Sequence, residues 1–253
     1  MENMAENAAA APARPSFGAG FSAALRIFYA PRGVLEQVER GLNWWPGLIL
    51  LVILMAVAMV IYLPVQMEAM EAAMESGTMP GLPPGADSEQ AMDQMRTWTQ
   101  VGSIVGPVLG VPFMLLLTTL LYWLALIISF GQARFGRVFA LSVYTGFIGM
   151  AYQLLNAIYL RVARPEVSGP ADLQGAALNF SLGAFLPEPG GFLGTFLGQI
   201  GLFSIWALVL YIWGAALITD RRRGAVAWPV IIVFLIMALL AGLFGSIGAR
   251  FSA

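Results

Sequence analysis

The stretch FYAPRGVLEQVERGLNWWPGLILLVILMAVAMVIYL, residues 28–63, decides how the chain is organised. It begins with a charged run to Arg40, passes through Trp44-Trp45-Pro46 and then stays apolar to residue 63. Twenty residues at about 1.5 Å each cover about 30 Å, the thickness of a bilayer's hydrocarbon core. Tryptophan at the start of such a run is typical of the membrane–water interface. The order predicts a surface helix, an aromatic anchor and a membrane span.

Composition extends this interpretation to the whole chain. The 253 residues are 59% hydrophobic and 11% charged, whereas soluble domains have about 45–50% apolar and about 25% charged residues. Four more long apolar runs follow the first. The sequence predicts an all-α fold, a polytopic transmembrane bundle of five helices with N-terminal interfacial amphipathic helices.

We expect three regions along the chain. Residues 1–20 form a disordered cytoplasmic arm, residues 21–43 form two short amphipathic helices, and residues 44–248 form the membrane domain. The predicted spans are residues 44–63, 101–129, 138–160, 193–219 and 228–248, with outer loops 64–100 and 161–192. The second short helix starts at Pro31 and carries an apolar stripe opposite a Glu36–Arg40 pair. These helices either pack beneath the bundle or act on lipid at the membrane surface.

Arginine predicts the orientation. All thirteen basic residues are Arg, and nine lie in the N-terminal region and in the turns after the second and fourth spans. The topology-setting residues in those turns are Arg134, Arg137, Arg221, Arg222 and Arg223. Because Arg-rich loops stay in the cytoplasm, we expect a multi-pass protein of the cell inner membrane with its N-terminus cytoplasmic and its C-terminus outside.

Missing residue types exclude several kinds of chemistry. The chain has no His, Cys or Lys, which excludes His-based catalysis, His-ligated metals and Schiff bases. No Asp, Glu or Arg lies inside the predicted spans, which argues against proton-coupled transport. No basic stripe indicates nucleic acid. We therefore expect no enzyme, no cofactor and no nucleic-acid partner.

Methionines crowd the first outer loop and its flanks. Thioethers are ligands that suit Cu(I), and they are also flexible packing groups for an amphipathic helix. We favour packing and predict no metal site. The residues are Met67, Met70, Met74, Met79, Met92 and Met95.

A ladder of glycines marks the second predicted span. Gly102, Gly106 and Gly110 are four residues apart, with Pro107 and Pro112 between and after them. Small residues at this spacing let a second helix backbone approach closely. We predict a kinked helix with a helix-packing seam, and a hinge lining a path is the alternative.

Tryptophan–proline pairs open two spans. Trp44, Trp45 and Pro46 precede the first apolar run, and Trp228 and Pro229 precede the fifth. We interpret them as membrane-interface anchors, with Trp among the headgroups and Pro in the first helical turn.

Several short motifs carry a family resemblance. FYAP at residues 28–31 precedes Trp45-Pro46, a Gly131…Phe135 turn precedes the third span, and FSIW at residues 203–206 lies in the fourth. With five spans and a short basic turn between the last two, residues 26–248 resemble the Yip family, integral membrane proteins named for interacting with Rab GTPases. The chain looks like a bacterial member. The resemblance implies this topology and a membrane-organising role, without a substrate.

These observations predict a function that does not involve catalysis. Apolar, Gly-notched helices favour a membrane scaffold or organiser that acts through helix–helix and lipid contacts. Its expected partners are membrane lipids and a protein partner or a second copy within the membrane. The alternative is a channel or passive permease for a small solute, gated by the Pro-kinked second helix.

Overall fold

The computed structural model describes residues 17–75, 88–166, 169–186 and 191–251. Over these ranges the chain is helical, and two bridged residues are its only β-type pairing. The helices are α1 (Phe17–Tyr29), α2 (Pro31–Glu39), α3 (Trp45–Glu75), α4 (Ser88–Val105), α5 (Val111–Phe130), α6 (Phe135–Ala163), α7 (Pro170–Ala176), α8 (Gly191–Gly198), α9 (Leu202–Thr219) and α10 (Arg223–Phe251). A π-helical turn, Gly106–Gly110, joins α4 to α5, and a 3-10 turn, Leu182–Phe185, precedes α8.

Five helical segments in the described ranges are long and apolar enough to cross a membrane, which confirms the predicted fold class. In hydrocarbon a helix satisfies its own backbone groups, so apolar runs of this length fold as helices. The candidate spans are Trp45–Met74, Gly106–Phe130, Phe135–Ala163, Leu202–Thr219 and Arg223–Phe244.

Helix α6 is the centre of the bundle. In its most apolar window 61% of the residues are buried, against 17–33% for the other four spans. It packs against α3, α5 and α9, and also against both N-terminal helices. The Tyr144 hydroxyl donates a hydrogen bond of 2.6 Å to the Asn43 carbonyl oxygen, which ties the middle of α6 to the turn before α3.

The N-terminal helices pack on the bundle. Val34, Leu35 and Val38 of α2 are fully buried against α6 and α9, as the predicted apolar stripe requires. The ion pair differs from the prediction, because Glu36 pairs with the preceding turn: Arg32 Nε lies 2.8 Å from its Oε1. Arg40 lies at the C-cap of α2 and is exposed.

Helix α1 is apolar on two faces. It buries Ala23 and Ile27 in the core, whereas Leu25 and Tyr29 on the other side are 68% and 75% exposed. This second apolar face leaves α1 room to contact lipid, and its position at the membrane surface stays a prediction. The helix begins at Phe17, so residues 17–20 are helical, while the rest of the predicted arm lies outside the described residues.

Helical segments extend into both outer loops. Helix α3 continues through Pro64 to Glu75, and α4 already begins at Ser88, so loop 64–100 is helical at both ends. Its Pro-rich middle lies outside the described residues. Helix α7 docks by burying Leu173 against α3 and the end of α6. Met70 is buried on the same extension of α3, in agreement with a packing role.

Candidate functional site: a polar cavity behind a broken helix

The chain breaks its helical path between α8 and α9. Instead of one helix over residues 193–219, α8 ends at Gly198 and α9 begins at Leu202. The intervening backbone pairs like a β-bridge with the chain some twenty residues earlier: Leu182 N donates to Ile200 O and Leu202 N donates to Phe180 O, both at 2.9 Å. Irregular backbone near a membrane needs such partners, because lipid supplies none.

Glycines allow close backbone contacts at this break. A Cβ added at Gly183 would lie 3.1 Å from both the Gly194 carbonyl oxygen and the Gly198 nitrogen. A Cβ at Gly201 would lie 3.1 Å from the Phe180 carbonyl oxygen. The 3-10 turn therefore packs closely on the backbone of α8, and the residue before α9 packs closely on the backbone at Phe180, distances at which a larger residue would have to displace its neighbour.

The break forms one wall of a half-open cavity of about 480 Å³ between the helices. Its other walls come from α5, α6, α9 and Phe234 of α10. This volume lies in the range of about 300–1,000 Å³ that is usual for small-molecule sites. The polar groups that matter most for its chemistry are those of Ser142, Thr145, Tyr152, Gln153, Gln199 and Tyr211.

Two tyrosines and a serine form the floor of this bundle cavity. The ring centroids of Tyr122 and Tyr211 are 4.2 Å apart, and Tyr211 Oη lies 3.2 Å from Ser142 Oγ. Ser142 Oγ also lies 3.2 Å from the Val138 carbonyl oxygen, to which it donates. Ser142 is the eighth residue of α6, about 10 Å from the helix start at about 1.5 Å per residue. The floor thus lies nearer the α5–α6 turn than the opposite end.

Aromatic rings flank the end of the bundle cavity opposite this floor. Tyr152, Phe180 and Phe203 form a cluster with centroid separations of 5.2–6.5 Å. The Tyr152 hydroxyl donates to the Leu178 carbonyl oxygen at 2.7 Å. Ser204 caps the start of α9, since its Oγ accepts from Gly201 N at 2.8 Å and donates to Gln199 O at 2.6 Å. The Tyr152 bond attaches the loop before α8 to α6, and the two Ser204 bonds fix the turn between α8 and α9.

The cavity is suited to binding a neutral molecule. None of the described residues that line it is Asp, Glu or Arg. Hydroxyl and amide groups on apolar walls can orient a ligand by hydrogen bonds. They provide no group that would act as a general base near neutral pH.

The predicted glycine ladder lies on the outside of the bundle. At Gly102, Gly106 and Gly110 an added Cβ would meet no described atom within 4 Å. Pro107 is buried and lies in a π-helical turn, and the predicted kink of this helix stays a prediction. A helix-packing seam at this ladder stays a prediction, and within the described chain no neighbour fills it.

The predicted membrane-interface anchors differ in exposure and in their position along the helix. Trp45 is 53% exposed, and its ring stacks on Trp44 at 4.2 Å, while Pro46 is buried in the first turn of α3. Trp228 is 71% exposed. Pro229 is not in a first turn, because α10 begins six residues earlier at Arg223. The anchor role of these residues stays a prediction.

The five topology-setting arginines come together. A groove of about 880 Å³ lies between the α5–α6 turn and the α9–α10 turn, and we call it the basic groove. Its charged lining residues are Arg134, Arg137, Arg221, Arg222, Arg223, Glu39 and Asp220. The structure therefore places two distant turns at one membrane face. Which compartment that face meets stays a prediction.

Sequence reasoning missed the bundle cavity. Gln153 and Gln199 lie within two of the predicted spans, and both line the cavity. The buried Asn156 Oδ1 has no hydrogen-bond partner among the described residues. A usable signal was present, because Ser142, Thr145 and Gln153 fall close to one face of a helix.

Comparisons with known proteins agree with this architecture. The chain is similar to "Membrane protein YknW" of Bacillus subtilis (strain 168), with 26% identity over 163 residues, which cover 63% of this chain and 67% of that protein. No solved structure gives a significant match. The family model of the Yip1 domain matches residues 25–243, from α1 into α10. The chain therefore belongs to the Yip1-domain family of membrane proteins.

Proposed function

We propose that this Yip1-domain protein is a non-enzymatic membrane scaffold that acts through helix–helix and lipid contacts. The observation that carries the proposal is the open, glycine-lined surface of the π-helical turn and α5. Only 17% of the most apolar window of this span is buried in the chain. Large apolar side chains surround the glycines: Val105, Val108, Leu109, Phe113 and Met114 are 44–66% exposed.

The glycines distinguish this surface from an ordinary lipid-facing one. Lipid covers a uniform row of large side chains as well as it covers a notched one. Glycines four residues apart, with open space above them, instead allow a second backbone to approach within van der Waals distance. The π-helical turn adds a local widening of the helix, a feature frequent at functional sites. A second copy of this chain is the occupant that we propose.

The self-association test uses energy transfer in liposomes. The chain contains no Cys, so Ser22→Cys on exposed α1 provides a single labelling site for donor and acceptor dyes. We expect energy transfer that falls on lipid dilution and is lost in Gly106→Leu. The matched control is Ser129→Leu, an exposed position on the same continuous helix, which should keep the transfer. Transfer that is absent in the parent, or unchanged in Gly106→Leu, contradicts a seam at this ladder.

A passive permease is the second candidate, favoured by the bundle cavity. Broken helices that line polar cavities near the membrane are a feature of transporters. Glycerol is a suitable neutral probe, because the lining offers hydroxyl and amide groups without charge. Glycerol efflux from liposomes that is lost in Gly149→Leu, whose side chain would fill the cavity, would support the permease. Efflux equal to that of empty liposomes would contradict the permease and would leave the scaffold as the proposed function.

We also propose that the basic groove faces the cytoplasm, with the N-terminus on the same side. The unequal distribution of Arg between the two membrane faces supports this orientation. A periplasm-active reporter in the turn at residues 221–224 should be inactive, whereas one after Ala253 should be active. The opposite pattern would invert the orientation.

A further inference from the structure

We propose that the basic groove binds the phosphate of an anionic phospholipid headgroup. The chemistry is recognition of a phosphate group by arginine, and the neighbouring leaflet is its source. Such a site is independent of whether α5 self-associates or the bundle cavity passes a solute.

The charge of the groove is unbalanced. Five arginines and two acidic residues line it, so it carries an excess of three positive charges. Arg137 Nη1 lies 3.9 Å from Glu39 Oε1, a long ion pair. For the other four arginines, the described residues place no carboxylate within 4.0 Å. Guanidinium groups bind phosphate through paired N–H donors, so an arrangement of this kind is suited to a phosphate ligand.

Two helices begin at this groove, and both begin with the unfavourable charge. The N-cap of α6 is Arg134, which makes no side-chain capping bond, and the first turn contains no acidic residue. The first turn of α10 also contains none and starts with Arg223. Helix N-termini carry a partial positive charge that acidic residues or bound anions normally compensate. A phosphate would compensate both helices and the arginines together.

One wall of the groove is apolar. Trp213, Leu217 and Ile218 of α9 line it, and the Arg223 guanidinium lies 4.3 Å from the centroid of the Trp213 ring. The groove thus presents arginines beside hydrocarbon, as a headgroup with its first acyl carbons requires. A free phosphate ion would contact only the arginines and would make no contact with the apolar wall. Basic pockets between membrane helices are known to suit anionic headgroups.

The general preference for Arg on one membrane face does not explain the groove by itself. That preference concerns loops and is satisfied wherever on the face the charges lie. Arg32 in α2 and Arg40 at its C-cap show the difference, since α2 reaches the groove through Glu39 while both arginines are exposed and lie outside the groove lining. The groove arginines instead converge from two turns about 85 positions apart in sequence.

The test uses the full chain in detergent, titrated with short-chain phosphatidylglycerol, short-chain phosphatidylcholine or inorganic phosphate. Binding is followed by native mass spectrometry and by the shift in melting temperature. We expect phosphatidylglycerol to bind at least about 10-fold more tightly than either alternative. In Arg134→Gln/Arg222→Gln, its affinity should fall at least about 10-fold, because two charge-assisted contacts are lost.

The matched control is Arg32→Gln/Arg40→Gln, which removes the same charge from the same face and should change the affinity less than about 2-fold. Equal losses in the two double variants, or equal binding of phosphatidylcholine, would overturn the site. Inorganic phosphate that binds as tightly as the lipid would overturn the lipid source. If the Gln variant does not melt cooperatively, Arg134→Lys/Arg222→Lys replaces it, and unchanged affinity in that variant would overturn recognition by paired guanidinium donors.

Discussion

The second and third spans, Gly106–Phe130 and Phe135–Ala163, have 25 and 29 residues and both contain glycine, yet their surroundings are opposite. In α6, 61% of the most apolar window is buried, and in the span that includes α5 the figure is 17%. Individual glycines differ in the same way, although Gly136 and Gly149 of α6 also face open space. Gly47, facing α6, would place a Cβ 2.9 Å from side-chain carbons of Val143 and Tyr144, whereas a Cβ at Gly106 would meet open space.

The comparison teaches that glycine spacing and glycine packing are separate properties. The regular ladder on the second span has no neighbour within the described chain. The glycines that do permit close approach, such as Gly47 and Gly183, belong to no ladder. Spacing alone therefore does not decide packing, since Gly194 and Gly198 of α8 are also four residues apart and Gly183 packs closely against both.

The most severe test of this comparison adds a side chain at one packed glycine and at one glycine that faces open space. We expect Gly47→Leu to lower the free energy of unfolding by about 2 kcal/mol or more, because Val143 and Tyr144 are fully buried and cannot move aside. Gly106→Leu should change it by less than about 0.5 kcal/mol. Unfolding by SDS in mixed micelles measures both. Similar losses in the two variants would show that the ladder is packed after all.

A second test removes one hydroxyl from the centre of the bundle. Tyr144→Phe deletes the 2.6 Å hydrogen bond to the Asn43 carbonyl oxygen and leaves that oxygen without its partner. We expect a loss of about 1 kcal/mol in the same SDS titration. The control is Tyr159→Phe on the exposed side of α6, which should be neutral. Equal effects would mean that the bond contributes nothing to stability.

The smallest effect should come from two threonines. Thr119 of α5 is fully buried and its Oγ1 has no partner among the described residues, whereas Thr145 of α6 donates to the Leu141 carbonyl oxygen at 2.8 Å. We expect Thr119→Val to raise the free energy of unfolding by about 0.5 kcal/mol, because it removes an unpaired buried hydroxyl. Thr145→Val should lower it by about 0.5 kcal/mol, because it removes a hydrogen bond that is made. Changes of the same sign would contradict this assignment of paired and unpaired groups.

Much of the fold was predictable because hydropathy is a local property. Each of the five spans is a continuous apolar run, and the run itself requires a helix in lipid. The first and last residues of the helices were less predictable. Helix α10 begins five residues before Trp228, although Arg223 and Gly224 are unfavourable in a first turn, and Pro229 is tolerated inside it. The break before α9 depends on hydrogen bonds to residues 180–182, which no window around residue 200 contains.

The candidate site was less predictable than the fold. Ser142 and Tyr211 are 69 positions apart in sequence, and only packing of α6 on α9 brings their hydroxyl groups to 3.2 Å. Each polar residue alone resembled an ordinary interhelical hydrogen-bonding group. The basic groove was predictable only in part. The sequence identifies the arginines individually, but their proximity depends on how two turns pack together.

By itself, the sequence determined that this is an all-helical, five-span member of the Yip1-domain family with unequal Arg content at its two faces. Those properties are sums over neighbouring residues, and neighbours in sequence are sufficient to compute them. Only the tertiary structure decided which glycines are filled, where a polar cavity opens and which arginines share a groove. Those properties depend on residues that are distant in sequence, and packing of the helices alone makes them neighbours.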